Sequence, residues 1–225
     1  MRNSLAPTGR VAALCGIAGP VALSGYFLAP AVLSWPYAGA SASAVVAYAI
    51  SHQTLFFAGA WLQITGTLLC VVFFMALITL ARAAGSVGGL VALAASACLL
   101  AVVVVEGALL VAVPMAASAG DATTALTTFD LSNGVFVRAF PLAPASATYV
   151  ALGAVILGSR LLHRGFGYSA IALGIAFELA GTAAVFIPAA LIAIAVLAAG
   201  QGVWIIAAAV GLWTHTPGET DRRVT

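Results

Sequence analysis

Five polar side chains, each from a different apolar stretch, are the residues of this chain whose types could do chemistry: Glu178, Glu106, Gln63, Tyr149 and Gln201. An ionisable group at bilayer depth is costly, so each such residue calls for a physical reason. A carboxyl group in apolar surroundings stays protonated and can then carry a proton or act as a general acid. Amide and phenol groups hydrogen-bond a ligand, or tie one helix to the next for about 0.6–2 kcal/mol. That plainer role, helix-to-helix bonding, competes with the functional one at every position.

Glu178 carries the sharpest expectation. It lies near the middle of its apolar stretch, with no arginine at comparable depth. Gly167, Ala170, Gly174, Glu178 and Gly181 recur at helical spacing as a stripe of small residues around it. Such a stripe admits close backbone approach or leaves room for a ligand. Gly59, Gln63, Gly66, Thr67 and Cys70 form a second small and polar stripe, and Gly200 and Gly202 flank Gln201.

The elements that position these residues follow from composition. Of 225 residues, 64% are hydrophobic and 6% charged, against about 25% charged in an ordinary soluble domain. Six stretches are long enough to cross about 30 Å of hydrocarbon. They are Val11–Leu33, Leu55–Leu80, Gly88–Val113, Pro141–Leu162, Gly167–Ile187 and Ala189–Trp213, with a turn at Pro188 separating the last two. The fold expected is an all-α membrane protein: a six-transmembrane-helix bundle (residues 11–213) between short tails at 1–10 and 214–225. An apolar run of 23 residues at the N-terminus exceeds a secretory signal's core of about 7–15, so Val11–Leu33 reads as an uncleaved first span.

Orientation comes from arginine, since the chain has no lysine. With the N-terminus inside, Arg2, Arg10, Arg82, Arg160, Arg164, Arg222 and Arg223 are cytoplasmic and Arg138 is outside, the bias expected of an inner-membrane protein with both termini in the cytoplasm. The long connections Ser34–Thr54 and Pro114–Phe140 are then external. Each contains a piece with helical spacing, Ala42–Gln53 and Asp121–Phe136, that reads as a short surface helix. Gln63 and Tyr149 fall about 12 Å below the outer boundary and Glu106 about 10 Å, with Glu178 and Gln201 slightly deeper. The five would line an outward-facing polar pocket rimmed by His52, Asp130 and Arg138.

Other chemistry finds no support. Cys15, Cys70 and Cys98 lie in apolar stretches without CxxC spacing and read as small buried hydrophobes. There is no metal or haem spacing among the three histidines, no phosphate-binding glycine loop and no Ser/His/Asp set. No cofactor and no metal is implied. A net charge of +2 gives no reason to expect nucleic acid as a partner.

Two segments carry a resemblance. ASAVVAYAISHQ with FFAGAWLQITGTLLCVVFFMALITLARA (within residues 42–83), and residues 121–176 from DATTALTTFDLSNGVFVRAF onward, resemble uncharacterised actinobacterial six-helix integral membrane proteins, near a bacterial domain-of-unknown-function family. The link Gly158-Ser159-Arg160 through Arg164-Gly165 matches that set, whereas Phe166-Gly167-Tyr168 stands where relatives commonly carry Pro-Arg-Trp. The resemblance implies six helices and no activity.

Three classes of function follow. The first is a non-catalytic protein that binds or moves a small apolar or amphipathic molecule through the pocket, with Glu178 as proton site and a homodimer expected if it transports. The second is an accessory or assembly subunit of a membrane complex, its polar groups locking helices to a membrane partner. The third is a membrane-embedded enzyme of the terpene-cyclase kind, with Glu178 as general acid. The third and fifth spans carry few aromatic residues to stabilise a carbocation, and the chain lacks catalytic motifs, so an enzyme is the least favoured of the three.

Overall fold

A computed structural model describes residues 5–36, 39–187 and 190–214. Its described residues are helical and contain no strand, with six helices long and apolar enough to span a membrane. In chain order the helices are α1 (Leu5–Val32), α2 (Ala42–Ser51), α3 (Gln53–Leu80), α4 (Val87–Ser118), α5 (Ala122–Gly134), α6 (Ser146–Gly158), α7 (Arg164–Phe186) and α8 (Ala190–Thr214). The expected turn at Pro188 lies outside the described residues, as do Arg2, Arg222, Arg223 and the tail from His215. Residues 5–10, expected in a tail, form the start of α1.

The six spans close into a ring. α1 packs on α3, α3 on α4, α4 on α6, α6 on α7, α7 on α8, and α8 returns to α1. Apolar surface gains little by leaving lipid, so these contacts depend on shape, and glycines supply it. At the α1–α3 crossing a Cβ on Gly19 would come within 2.8 Å of the Gly66 carbonyl oxygen. At the α6–α7 crossing a Cβ on Gly153 would come within 2.6 Å of the Gly167 carbonyl oxygen.

Aromatic side chains fill the middle of the ring. Tyr149 of α6, 1% exposed, meets Phe74 of α3 at 5.9 Å, Trp204 of α8 at 5.5 Å and Phe177 of α7 at 6.2 Å between ring centroids. The Trp204 indole N–H donates to the Phe166 carbonyl and to Ser169 Oγ, pinning α8 to α7. The axis is therefore packed, with no open pore along it.

Of the two short helices expected, α2 stands alone and α5 forms in place but runs on into the fourth span; together they cover one end of the ring. Ser41 caps α2 by accepting from the Ala44 N–H, and Asp121 caps α5 by accepting from the Thr124 N–H. Helix α2 packs on α5, and α5 on α4. The Tyr48 hydroxyl donates to the Leu33 carbonyl, and Trp35 lies 4.4 Å from Phe56 between centroids, which ties the α1–α2 connection to α3. Two departures from the expected boundaries matter most. Helix α4 does not stop at Val113 but runs through Pro114 to Ser118. Helix α5 is not separated from the fourth span: two π-helical turns, Val135–Ala139 and Pro141–Ala145, carry the chain from α5 into α6. Widened turns re-space the hydrogen bonds, which lets Pro141 and Pro144 stay within a near-continuous helix.

Candidate functional site

The five polar residues do not line one pocket. The structure separates them into a buried pair, a ring-centre residue, a groove residue and an outward-facing residue.

Glu106 and Gln63 form the pair. Helix α4 turns Glu106 inward, leaving it 1% exposed, and α3 presents Gln63 at 2%. The Gln63 side chain lies beside the carboxyl group, and the Tyr26 hydroxyl of α1 donates to Glu106 Oε1 at 3.3 Å. Glu106 Oε2 and Gln63 Oε1 have no protein partner. Both are acceptors, so a proton or a water brought to either oxygen would satisfy it. Sequence reasoning missed Tyr26, although it lies seven residues before Leu33, in the same depth band as the others. A single tyrosine in an apolar first span looks like an ordinary hydrophobe until its hydroxyl finds a partner.

Tyr149 belongs to the aromatic plug described above and faces neither Glu106 nor solvent. The expected stripe on α3 is borne out, since Gly59, Gln63, Gly66, Thr67 and Cys70 are all buried.

Gln201 of α8 is 8% exposed, and its Oε1 has no partner. It lies in a groove of about 420 Å³ between α1 and α8, lined by Pro20, Leu23, Phe27, Phe136 and Ala198 among others. Ser24 is a second polar side chain there, but its hydroxyl is committed to the Pro20 carbonyl at 2.8 Å. Ala195, Ala199 and Val203 on the groove's lip are exposed, so it opens sideways, toward lipid. The opening is lateral, where an outward-facing pocket was expected.

Glu178 is the main correction. The buried face of α7 is Gly167, Ala170, Gly174, Phe177 and Gly181, and Glu178 is exposed one position past it. The small stripe also packs on the fourth span and not on α8: a Cβ on Gly174 would meet the Ser146 carbonyl oxygen at 2.7 Å, and one on Gly181 would meet Pro141 at 3.3 Å. Phe177 takes the inward position because the ring centre needs volume, which it fills against Phe140 and Tyr149.

The expected rim divides as well. Asp130 and Arg138 share one open cleft at the α5 end of the fourth span, with Thr127 and Val135. His52 stands apart at the end of α2, stacked on Tyr48 with 4.2 Å between ring centroids and with its Nδ1 2.7 Å from Ser51 Oγ. Among the described residues no group of three or more His, Cys, Asp or Glu could hold a metal ion.

Six apolar spans closed into a ring make this a multi-pass α-helical membrane protein. No family model, no curated protein and no solved structure matches the chain.

Proposed function

We propose that the protein binds a small apolar or amphipathic molecule, drawn sideways from the bilayer into the groove between α1 and α8. The observation that carries this reading is Gln201, a buried amide with an unpartnered oxygen, lining a groove in which Ser24, the other polar side chain, is committed to the Pro20 carbonyl. An orphaned polar atom in hydrocarbon is costly unless something satisfies it. A largely apolar ligand with one hydroxyl or amine would fill the groove and bond Gln201. Such sites are mostly apolar with few polar anchors. The plugged ring axis supports binding or lateral transfer over conduction through the centre.

The setting proposed is a bacterial inner membrane with both termini in the cytoplasm. Among the described residues Arg10, Arg82, Arg160 and Arg164 lie toward one end of the ring, with Arg138 alone near the α2/α5 end, which supports that orientation under the positive-inside bias.

Native mass spectrometry of the protein released from its own membranes tests the binding reading. The parent should retain an adduct of ligand size. Ala199→Trp, which fills the groove, and Gln201→Leu, which removes the polar anchor, should both lose it. An identical adduct on all three proteins would place the ligand elsewhere and overturn the reading.

A further inference from the structure

Glu178 has no hydrogen bond or ion pair among the described residues and sits exposed on the outer face of the ring. Around it Ile175, Leu179 and Val185 are 51%, 66% and 57% exposed, an apolar face suited to lipid or another helix, with exposed Thr182 one turn further along. The carboxyl group lies fourteen residues beyond Arg164 and eight before Phe186, which puts it about 21 Å from the arginine-rich end and about 12 Å from the other. Neither distance is within reach of a carboxylate seeking water.

Among the described residues no cation covers that depth. Arg10 is in the first turns of α1, Arg82 and Arg160 are in connections, and Arg164 opens α7. Arg138 is nearest in the fold, but Gly181 already lies against Pro141. Arg138 is therefore displaced still further toward the end of α7, away from Glu178. A second copy would offer the same described arginines at the same depths. Acids within spans almost always face a bundle interior or pair with a cation.

We propose that the outward face of α7 docks a transmembrane helix of a different protein, one that carries an arginine or lysine at mid-depth, and that Glu178 is its counter-ion. The apolar residues beside Glu178 supply the packing surface. Thr182 offers a hydrogen bond one turn toward the α2/α5 end. This is a protein–protein surface, separate from the α1–α8 groove.

The test uses the full chain in lipid nanodiscs with donor-labelled protein and three acceptor-labelled single-span peptides. The peptides are leucine–alanine helices that carry Arg, Lys or Leu at the central position. Energy transfer should show the Arg and Lys helices binding at least about tenfold more tightly than the Leu helix. Glu178→Gln should bring all three to the level of the Leu helix, while Ile192→Ala on the exposed face of α8 should leave the preference intact. Equal binding of the three peptides, or an unchanged preference in Glu178→Gln, would overturn the proposal. So would single-molecule photobleaching that shows the chain forming dimers which Glu178→Gln dissociates, since a second copy would then be the occupant.

Discussion

Glu106 and Glu178 are the same kind of group in the same kind of helix, yet α4 turns one into the bundle and α7 turns the other out of it. Glu106 meets Tyr26 and lies beside Gln63, whereas Glu178 has no polar partner among the described residues. The difference shows what sets the rotation of a membrane helix here. On α4, Gly107 follows Glu106 and lies so close to α3 that a Cβ there would come within 2.7 Å of Ile64, so the acid's own face is the one that packs tightly. On α7 the packed face is fixed by Gly167, Gly174 and Gly181 together with Phe177, and the acid follows passively. Shape chooses the face, and polarity is accommodated afterwards.

The largest effects should separate insertion of a helix from its assembly. A lipid-facing acid burdens α7 as much before the bundle assembles as after. Glu178→Leu should therefore lower the apparent free energy of inserting α7 by about 2–3 kcal/mol, read from glycosylation of an α7 reporter at the translocon, while resistance of the folded bundle to SDS stays unchanged. Glu106→Leu should do the reverse in the SDS assay, costing about 1–3 kcal/mol because the Tyr26 hydroxyl and the Gln63 amide lose their partner. If Glu178→Leu weakened the assembled bundle, Glu178 would have a partner inside it and the contrast would collapse.

The same side chain placed four residues away sharpens the point. Gly174→Leu drives a large group toward the Ser146 carbonyl and Val150, and should lower bundle stability by about 1–3 kcal/mol as overpacking. The readout is again SDS resistance, against Glu178→Leu as the tolerated control. A stable Gly174→Leu protein would mean that the α6–α7 crossing is looser than these contacts require.

That contrast also marks how far the sequence could be read. The six spans and α2 were legible because hydropathy and helical spacing persist whatever the tertiary arrangement. The inward stripe of α3 was legible for a similar reason, since Gly59, Gln63, Gly66 and Cys70 leave only one face small enough to pack. The phase of α7 was half legible. Four of its five stripe residues are buried, but the step after Gly174 can be three or four, and the carboxylate was chosen where the structure uses Phe177. Nothing local decides that step, because the volume needed at the ring centre is set by Phe74, Phe140, Tyr149 and Trp204 from other helices. The convergence of five polar residues failed for the same reason: matching depth does not fix direction. Pro141 reads as the start of a separate fourth span, since the π-helical turns that join it to α5 leave no mark in composition.

A third carboxylate gives the smallest effect and the cleanest reference for the other two. Asp121 lies at the turn between α4 and α5, fully exposed, where Gly120 with φ +80° reverses the chain. Its Oδ2 accepts from the Thr124 hydroxyl at 2.7 Å and its Oδ1 from the Thr124 N–H at 3.0 Å. Those bonds to the hydroxyl and the backbone N–H hold its pKa below the ordinary aspartate value. Because the folded value is the lower one, the capped turn is favoured above the unfolded pKa of about 3.9. That advantage fades as pH falls through the folded value. Protection of the Thr124 amide against hydrogen exchange, corrected for the intrinsic rate, should be level near neutrality and decline only in strong acid. Asp121→Asn keeps an acceptor for the cap and should flatten this dependence, whereas Asp121→Ala should lose protection at every pH. Global stability should barely move in either variant, since the cap serves only the first turn of α5. A Thr124 amide that titrated at or above the ordinary aspartate value would show that the carboxylate does not favour the capped state. Water and two donors from one residue suffice for Asp121, Glu106 needs three helices around it, and Glu178 has neither.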